Sequence, residues 1–284
     1  MPVSDSDLAV DDRQVEEPVD AAPAPPALRR VLGMLTSLPA LVGAFVGFTL
    51  LAIGPLKQLD LALNQPWSAF FFTKYRWLFQ DVIDHMASQW VAVPILGAVA
   101  LLIAVLRRSF RPIAIVLGVE LGWYGVVGTL KLLFSRPAPF SDDPSFFSGS
   151  LLTNGWQGIS YPSGHASEAV LLYGAIVYLL LRYTSLPRYL IVLSGVGVAA
   201  ITVATVLNSF YLGWHWATDL VGGALAGAML LRAVVVADKV ITVRVRRTDA
   251  GRVKVEIPPL IGVKRELRGS EDLPRATSSS GANR

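Results

Sequence analysis

The sequence predicts an all-α integral membrane protein: a six-transmembrane-helix bundle with a short C-terminal cytoplasmic β-hairpin and disordered tails. Three observations carry that expectation. The chain is 53% hydrophobic and only 16% charged, poorer in charge than a soluble domain. Its charges stand between long apolar runs rather than inside them. Period-two alternation starts only after the last of those runs.

Charge-free runs cover Val31–Leu56, Met86–Leu106 and Tyr189–Trp214, each long enough to cross a hydrocarbon core. Ala169–Leu181 and Leu220–Leu231 are shorter, and Pro112–Leu130 is broken only by Glu120. Together they define a six-helix membrane domain over residues 31–237. Residues 1–30 hold Asp5, Asp7, Asp11, Asp12, Glu16, Glu17 and Asp20 among Pro and Ala. That composition cannot bury a core and predicts a disordered acidic tail. No basic start followed by a short apolar core precedes the first run, so no cleavable signal peptide is expected.

After the membrane domain, Val243, Val245, Val253 and Val255 alternate with Arg244, Arg246, Arg252 and Lys254 around Thr248-Asp249-Ala250-Gly251. Alternation across an Asp/Gly turn predicts a β-hairpin within 238–259. Its basic face suits anionic lipid. The Ser/Gly/Arg-rich residues 260–284 are expected to be disordered.

Threading six helices puts Arg29 and Arg30, Arg107 to Arg111, the Arg182–Arg188 turn and Arg232 to Arg247 on one side. The positive-inside rule makes that side cytoplasmic, together with both termini. The loops Lys57–His85, Ser135–His165 and Asn208–Trp214 then face outward. The expected location is a bacterial-type cell (plasma) membrane, crossed several times. In the first outer loop Trp67, Phe70, Phe71, Phe72, Tyr75, Trp77 and Phe79 read as an interfacial aromatic belt; a gate for a lipid substrate is the sharper alternative. The absence of cysteine excludes disulfides and thiolate metal sites. The basic residues lie at helix ends and in the C-terminal tail, so the expected partner is the phospholipid bilayer, not nucleic acid.

Chemistry concentrates at three outward-facing helix ends. The third span closes with Lys131-Leu132-Leu133-Phe134-Ser135-Arg136-Pro137. The fourth opens with Tyr161-Pro162-Ser163-Gly164-His165, and the sixth with His215-Trp216-Ala217-Thr218-Asp219. A helix start behind Ser163-Gly164 offers free N–H groups and the positive end of the helix dipole, a natural seat for phosphate. Lys131 and Arg136 add cations for its oxygens. Asp219, one turn after His215, can hold one ring nitrogen and leave the other unprotonated. His215 then suits attack on phosphorus and His165 suits protonation of the leaving oxygen, with neither metal nor cofactor required. Glu120 is an intramembrane ionisable residue and a suspect by default. Glu168 follows His165 by three residues and can tune it or face the outer water. His85 has no partner pattern, and Asp142 and Asp143 read as solvated.

At these residues the chain resembles the type 2 phosphatidic acid phosphatase superfamily, which also includes vanadium haloperoxidases. Its members carry Lys-x6-Arg-Pro, Pro-Ser-Gly-His and Ser-Arg-x5-His-x3-Asp. The resemblance covers about Val31 to Ala237. It implies His215 as nucleophile, Asp219 as its orienting carboxylate and His165 as acid, with Lys131, Ser163 and Gly164 on phosphate. It implies a membrane hydrolase acting on a lipid phosphate or pyrophosphate: polyprenyl pyrophosphate, phosphatidic acid or phosphatidylglycerol phosphate. Two positions depart from the pattern: Ala138 and Ser209 stand where the family has arginines. Arg136, two residues and roughly 7 Å of extended chain from position 138, is the expected substitute. The lost arginines also raise an alternative, a catalytically weakened member that binds or senses phospholipid. A transporter built on Glu120 is a weaker reading, because no discontinuous helix pair is evident. Oligomeric state is left open.

Overall fold

A computed structural model describes residues 31, 33–86, 88–240, 244–247 and 253–256. The expected tails 1–30 and 260–284 and the turn at 248–251 lie outside the described residues.

The first helix, α1 (Leu38–Ile53), starts where Ser37 Oγ accepts the N–H of Ala40 at 3.4 Å, with Pro39 in the first turn. It stops at Gly54-Pro55, since proline cannot continue a helix. Its 16 residues reach only about 24 Å. A 71° bend joins it to the helical stretch Lys57–Phe70, which begins with α2 (Lys57–Leu63). Five helical stretches are long and apolar enough to cross a membrane by themselves, and six only if that bent pair counts as one. The 31–56 run thus contains its own start and stop signals, which its missing charges conceal.

The five are Leu78–Arg107, Arg111–Ser141, Gly164–Tyr183, Tyr189–Tyr211 and Ala217–Val240. The first contains α3 (Gln89–Arg107) and the second begins with α4 (Arg111–Gly122). The last three are α5 (Gly164–Tyr183), α6 (Arg188–Tyr211) and α7 (Ala217–Val240). Beyond α4 a π-helical stretch, Trp123–Gly128, leads into a last α-helical piece, Thr129–Phe134. Such wide turns recur at functional sites, and here one precedes Lys131.

Helix α5 is central, packing on α7, α6 and α3, and its Leu171, Leu172, Ala175 and Leu179 are fully buried. Helix α6 presents Val192, Leu193, Val196, Val203 and Leu207 outward, the face expected to meet lipid. Close approach of α7 to α5 depends on small residues, as in membrane helix pairs generally. A methyl group on Gly223 would stand 2.5 Å from the Ser163 carbonyl oxygen, and one on Gly227 2.5 Å from that of Ser167. Backbone atoms cannot yield there. Gly223→Ala is therefore expected to cost about 1–3 kcal/mol through overpacking, measured as reduced resistance to denaturant in detergent.

At the end of the bundle away from His165 and His215, Asp238 closes a polar cluster. Arg111 pairs with it at 2.9 Å, Tyr178 donates to it at 2.6 Å and Arg182 stands 3.9 Å away. A cavity of about 430 Å³ lies there between α4 and α7. It is apolar apart from that ion pair. Strands Arg244–Arg247 and Val253–Glu256 pair antiparallel, with Val245 opposite Val255.

Candidate active site

The loop between Phe134 and Gly164 folds back on itself above the helix ends. Ser160 N–H donates to the Arg136 carbonyl at 2.7 Å, and Ala138 N–H to that of Gln157 at 2.8 Å. Trp216, buried at the start of α7, donates from Nε1 to the Pro137 carbonyl at 2.8 Å. A backbone bond from Ser163 N–H to the Asp219 carbonyl, 2.9 Å, ties the start of α5 to the start of α7. These links hold the three motif-bearing segments together.

Ser163 caps α5, its Oγ accepting the N–H of Ala166 at 3.4 Å. Lys131 reaches this helix start. A methyl group on Gly164 would stand 3.7 Å from Lys131 Cε, and the ammonium donates to the carbonyls of Ile159 and Ser160 at 3.1 and 3.4 Å. Its charge acts on both His165 and His215. Lys131, Ser163, Gly164 and His165 are thus neighbours, as the sequence spacing leads one to expect.

His215 Nδ1 lies 3.5 Å from Asp219 Oδ2, long for a hydrogen bond, and the nitrogen has no closer partner. Asp219 is fully buried. Its Oδ2 accepts the Trp216 N–H at 3.1 Å, and its Oδ1 accepts from Arg136 Nη1 at 2.6 Å. Burial pushes the His215 imidazole below its ordinary pKa, with Lys131 and His165 acting in the same sense and Asp219 opposing them. A neutral ring with a free electron pair is the form a nucleophile needs.

Arg136 departs from its expected place. Its side chain is completely buried. Nη2 pairs with Asp60 at 2.6 Å, Nη1 with Asp219 at 2.6 Å and with Thr218 Oγ1 at 2.7 Å, and Nε donates to the Pro144 carbonyl at 3.0 Å. The guanidinium lies over the Phe146 and Trp216 rings. With four of its five hydrogens committed to these partners, it is placed to hold the Asp219 and Asp60 carboxylates. The offset from position 138 counted residues along the chain. It could not see that two acidic partners would capture the group.

One of those partners, Asp60 of α2, was invisible in the sequence, where it is one charge in a polar loop. It is 1% exposed and accepts the N–H of Thr218 at 3.1 Å and its hydroxyl at 2.6 Å. Asp84, adjacent to the partnerless His85, was equally unmarked. Its Oδ2 lies 3.3 Å from His165 Nε2, and its Oδ1 is buried without a partner. Glu168 is buried within electrostatic reach of His165 and Lys131. Glu120 has a buried, unpartnered Oε1 and lies within electrostatic reach of Glu168. Asp143 is engaged by the Ser145 N–H at 2.9 Å and the Ser148 hydroxyl at 3.0 Å. Ala138 and Ser209, at the two departing positions, are both buried, and the Ser209 hydroxyl has no partner.

The PAP2 superfamily matches residues 112–241, the segment that supplies Lys131, His165, His215 and Asp219. The chain as a whole is similar in fold to the crystal structure of the first transmembrane PAP2 type phosphatidylglycerolphosphate phosphatase from Bacillus subtilis. The TM-score is 0.59 and the identity 21%, over 72% of this chain and 98% of that one. No curated protein gives a significant match. The PAP2 segment begins at residue 112, so Asp60 and Asp84 reach the site from outside it.

Proposed function

We propose that this protein is a metal-independent membrane phosphatase of the PAP2 type, acting on a lipid phosphate or pyrophosphate. The observation that carries the reading is the pairing of His215 with buried Asp219 at a helix start tied directly to Ser163, two residues before His165. His215 attacks phosphorus through its free nitrogen. The bond to the leaving oxygen breaks as His165 gives that oxygen a proton. Water then attacks the phosphohistidine, His165 takes its proton, the P–N bond breaks and phosphate departs. Lys131 and the N–H groups opening α5 hold the phosphate oxygens.

A lipid substrate is favoured by the site's position at the end of apolar spans. An apolar groove of about 220 Å³ lies beside it, lined by Ile83, Met86, Ala200, Ile201, Ala204 and Thr205. Polyprenyl pyrophosphate, phosphatidic acid and phosphatidylglycerol phosphate all fit this class. The bent pair Leu38–Ile53 and Lys57–Phe70 counts as one of six spans in this reading. The basic cluster of Arg107, Arg111 and Arg182 at the opposite end supports an outward-facing site by the positive-inside rule.

Phosphate release from these lipids by purified protein in detergent with chelator, compared with His215→Ala, tests the proposal. The buried Ala138 and Ser209 favour a second reading, a weakened enzyme that binds phospholipid. Binding of the same lipids without any release, unchanged by His215→Ala, would support it instead. If His215 is the nucleophile, its lowered pKa predicts the pH response. Protonation removes the attacking electron pair, so kcat/KM falls as pH drops through that pKa. The acid limb is expected below about pH 6.5, the ordinary imidazole value. A limb at or above that value would contradict the assignment.

A further inference from the structure

We infer that Asp84, delivered by the opening turns of the helical stretch Leu78–Arg107, is the positioning residue of the acid His165, so that each site imidazole has its own buried carboxylate. The inference rests on the phosphatase reading above. Asp84 belongs to a short helical turn, Asp84–Met86, that directly continues a π-helical stretch, Leu78–Ile83. That stretch is docked on the end of α6: the Asn208 amide donates to the Phe79 carbonyl at 3.1 Å, and the Phe79 and Tyr211 rings lie 4.7 Å apart. From the other side, the Ser88 hydroxyl donates to the His85 carbonyl at 2.7 Å. The Tyr173 hydroxyl of α5 donates to the Met86 carbonyl. The turn is therefore anchored on both flanks, and the Asp84 carboxyl is only 5% exposed.

The contact is specific. Oδ2 lies 3.3 Å from His165 Nε2, while Oδ1 is buried with no partner among the described residues. A buried carboxylate with an idle oxygen is costly unless a cation or N–H holds it, and His165 is the group that faces it. The other charged neighbours of His165 are Glu168 on its own helix and Lys131 from the preceding span; Trp214 flanks the ring with centroids 6.5 Å apart. Asp84 fixes a hydrogen on Nε2 and with it the ring's orientation, the service a carboxylate gives a catalytic histidine elsewhere. The proton transferred to the leaving oxygen then comes from Nδ1, and the Nε2 hydrogen stays on the ring, donated to Asp84 Oδ2, throughout.

An acid matters only when the leaving group is poor. Asp84→Asn, Asp84→Ala and Asp84→Glu are therefore compared on a lipid phosphate and on p-nitrophenyl phosphate, whose phenolate leaves without a proton. Asp84→Ala and Asp84→Asn are expected to cut kcat on the lipid by about 10²-fold, with KM nearly unchanged. With p-nitrophenyl phosphate they leave the first-turnover burst of p-nitrophenolate within a few-fold, while steady-state turnover falls because hydrolysis of the phosphohistidine needs the same His165; Asp84→Glu restores part of the lipid rate. A burst slowed as much as the lipid reaction, or full activity of Asp84→Ala on the lipid, would overturn the inference. Wild-type protein inactive on both substrates would instead sink the phosphatase reading itself.

Discussion

His215→Ala is expected to reduce phosphate release by about four to six orders of magnitude, the scale on which loss of a nucleophile is felt when the rest of a catalytic unit survives. The ring stands at the mouth of α7 with 12% of its side chain exposed. Removing it deletes the bond-forming atom and leaves the packing around it largely intact. Substrate binding is expected to persist, because Lys131 and the start of α5 are untouched. His165→Ala is expected to lose less on substrates with good leaving groups. A His215→Ala protein that retained more than a few per cent of wild-type turnover would remove His215 from the chemistry.

Arg136→Ala carries the second large effect, and on stability. The guanidinium stands between two buried carboxylates, Asp60 and Asp219, at 2.6 Å from each. Removing it leaves both without their cation in a site closed to water. Breaking a buried pair in this way costs about 3–5 kcal/mol, read as a fall in denaturation midpoint in detergent or as failure to accumulate folded protein. Arg136→Lys rescues little, since one ammonium cannot reproduce a fork that reaches Asp60, Asp219, Thr218 and the Pro144 carbonyl together. An Arg136→Ala protein of normal stability with only a raised KM would restore the phosphate-clamp role that the sequence suggests. Asp60→Asn is expected to be milder, because Thr218 can still donate to the amide oxygen.

Much of the site was legible because its residues lie in short local patterns. Pro162-Ser163-Gly164-His165 reads as a helix start with a capping hydroxyl, and Ser163 does cap α5. The four-residue step from His215 to Asp219 suggests one helix face; in the structure His215 stands just before α7, and its ring still lies 3.5 Å from Asp219. The apolar stretches located the membrane helices for a similar reason, since each is a continuous local signal. What stayed hidden was the contribution of long-range partners. Asp60 lies 76 residues from Arg136 and Asp84 is two spans away from His165, in a region whose charges look solvated. Nothing local distinguishes a carboxylate that will be sealed beneath α7 from one that stays in water. The partners of Arg136 were hidden for the same cause. Chain offset measures reach, while the competition between a phosphate and two buried carboxylates is settled only in three dimensions. The bounds of α1 were less legible, because missing charge is a weaker signal than the Ser37 cap and the Gly54-Pro55 stop that bound it.

The central claim is a covalent phosphohistidine on His215. Protein mixed with ³²P-labelled lipid phosphate and quenched in alkali within one turnover reports it directly, followed by peptide mapping. The account predicts label on the peptide containing His215, more of it in His165→Ala, where hydrolysis lacks its base, and none in His215→Ala. Turnover without label on that peptide, or label that survives His215→Ala, would contradict it.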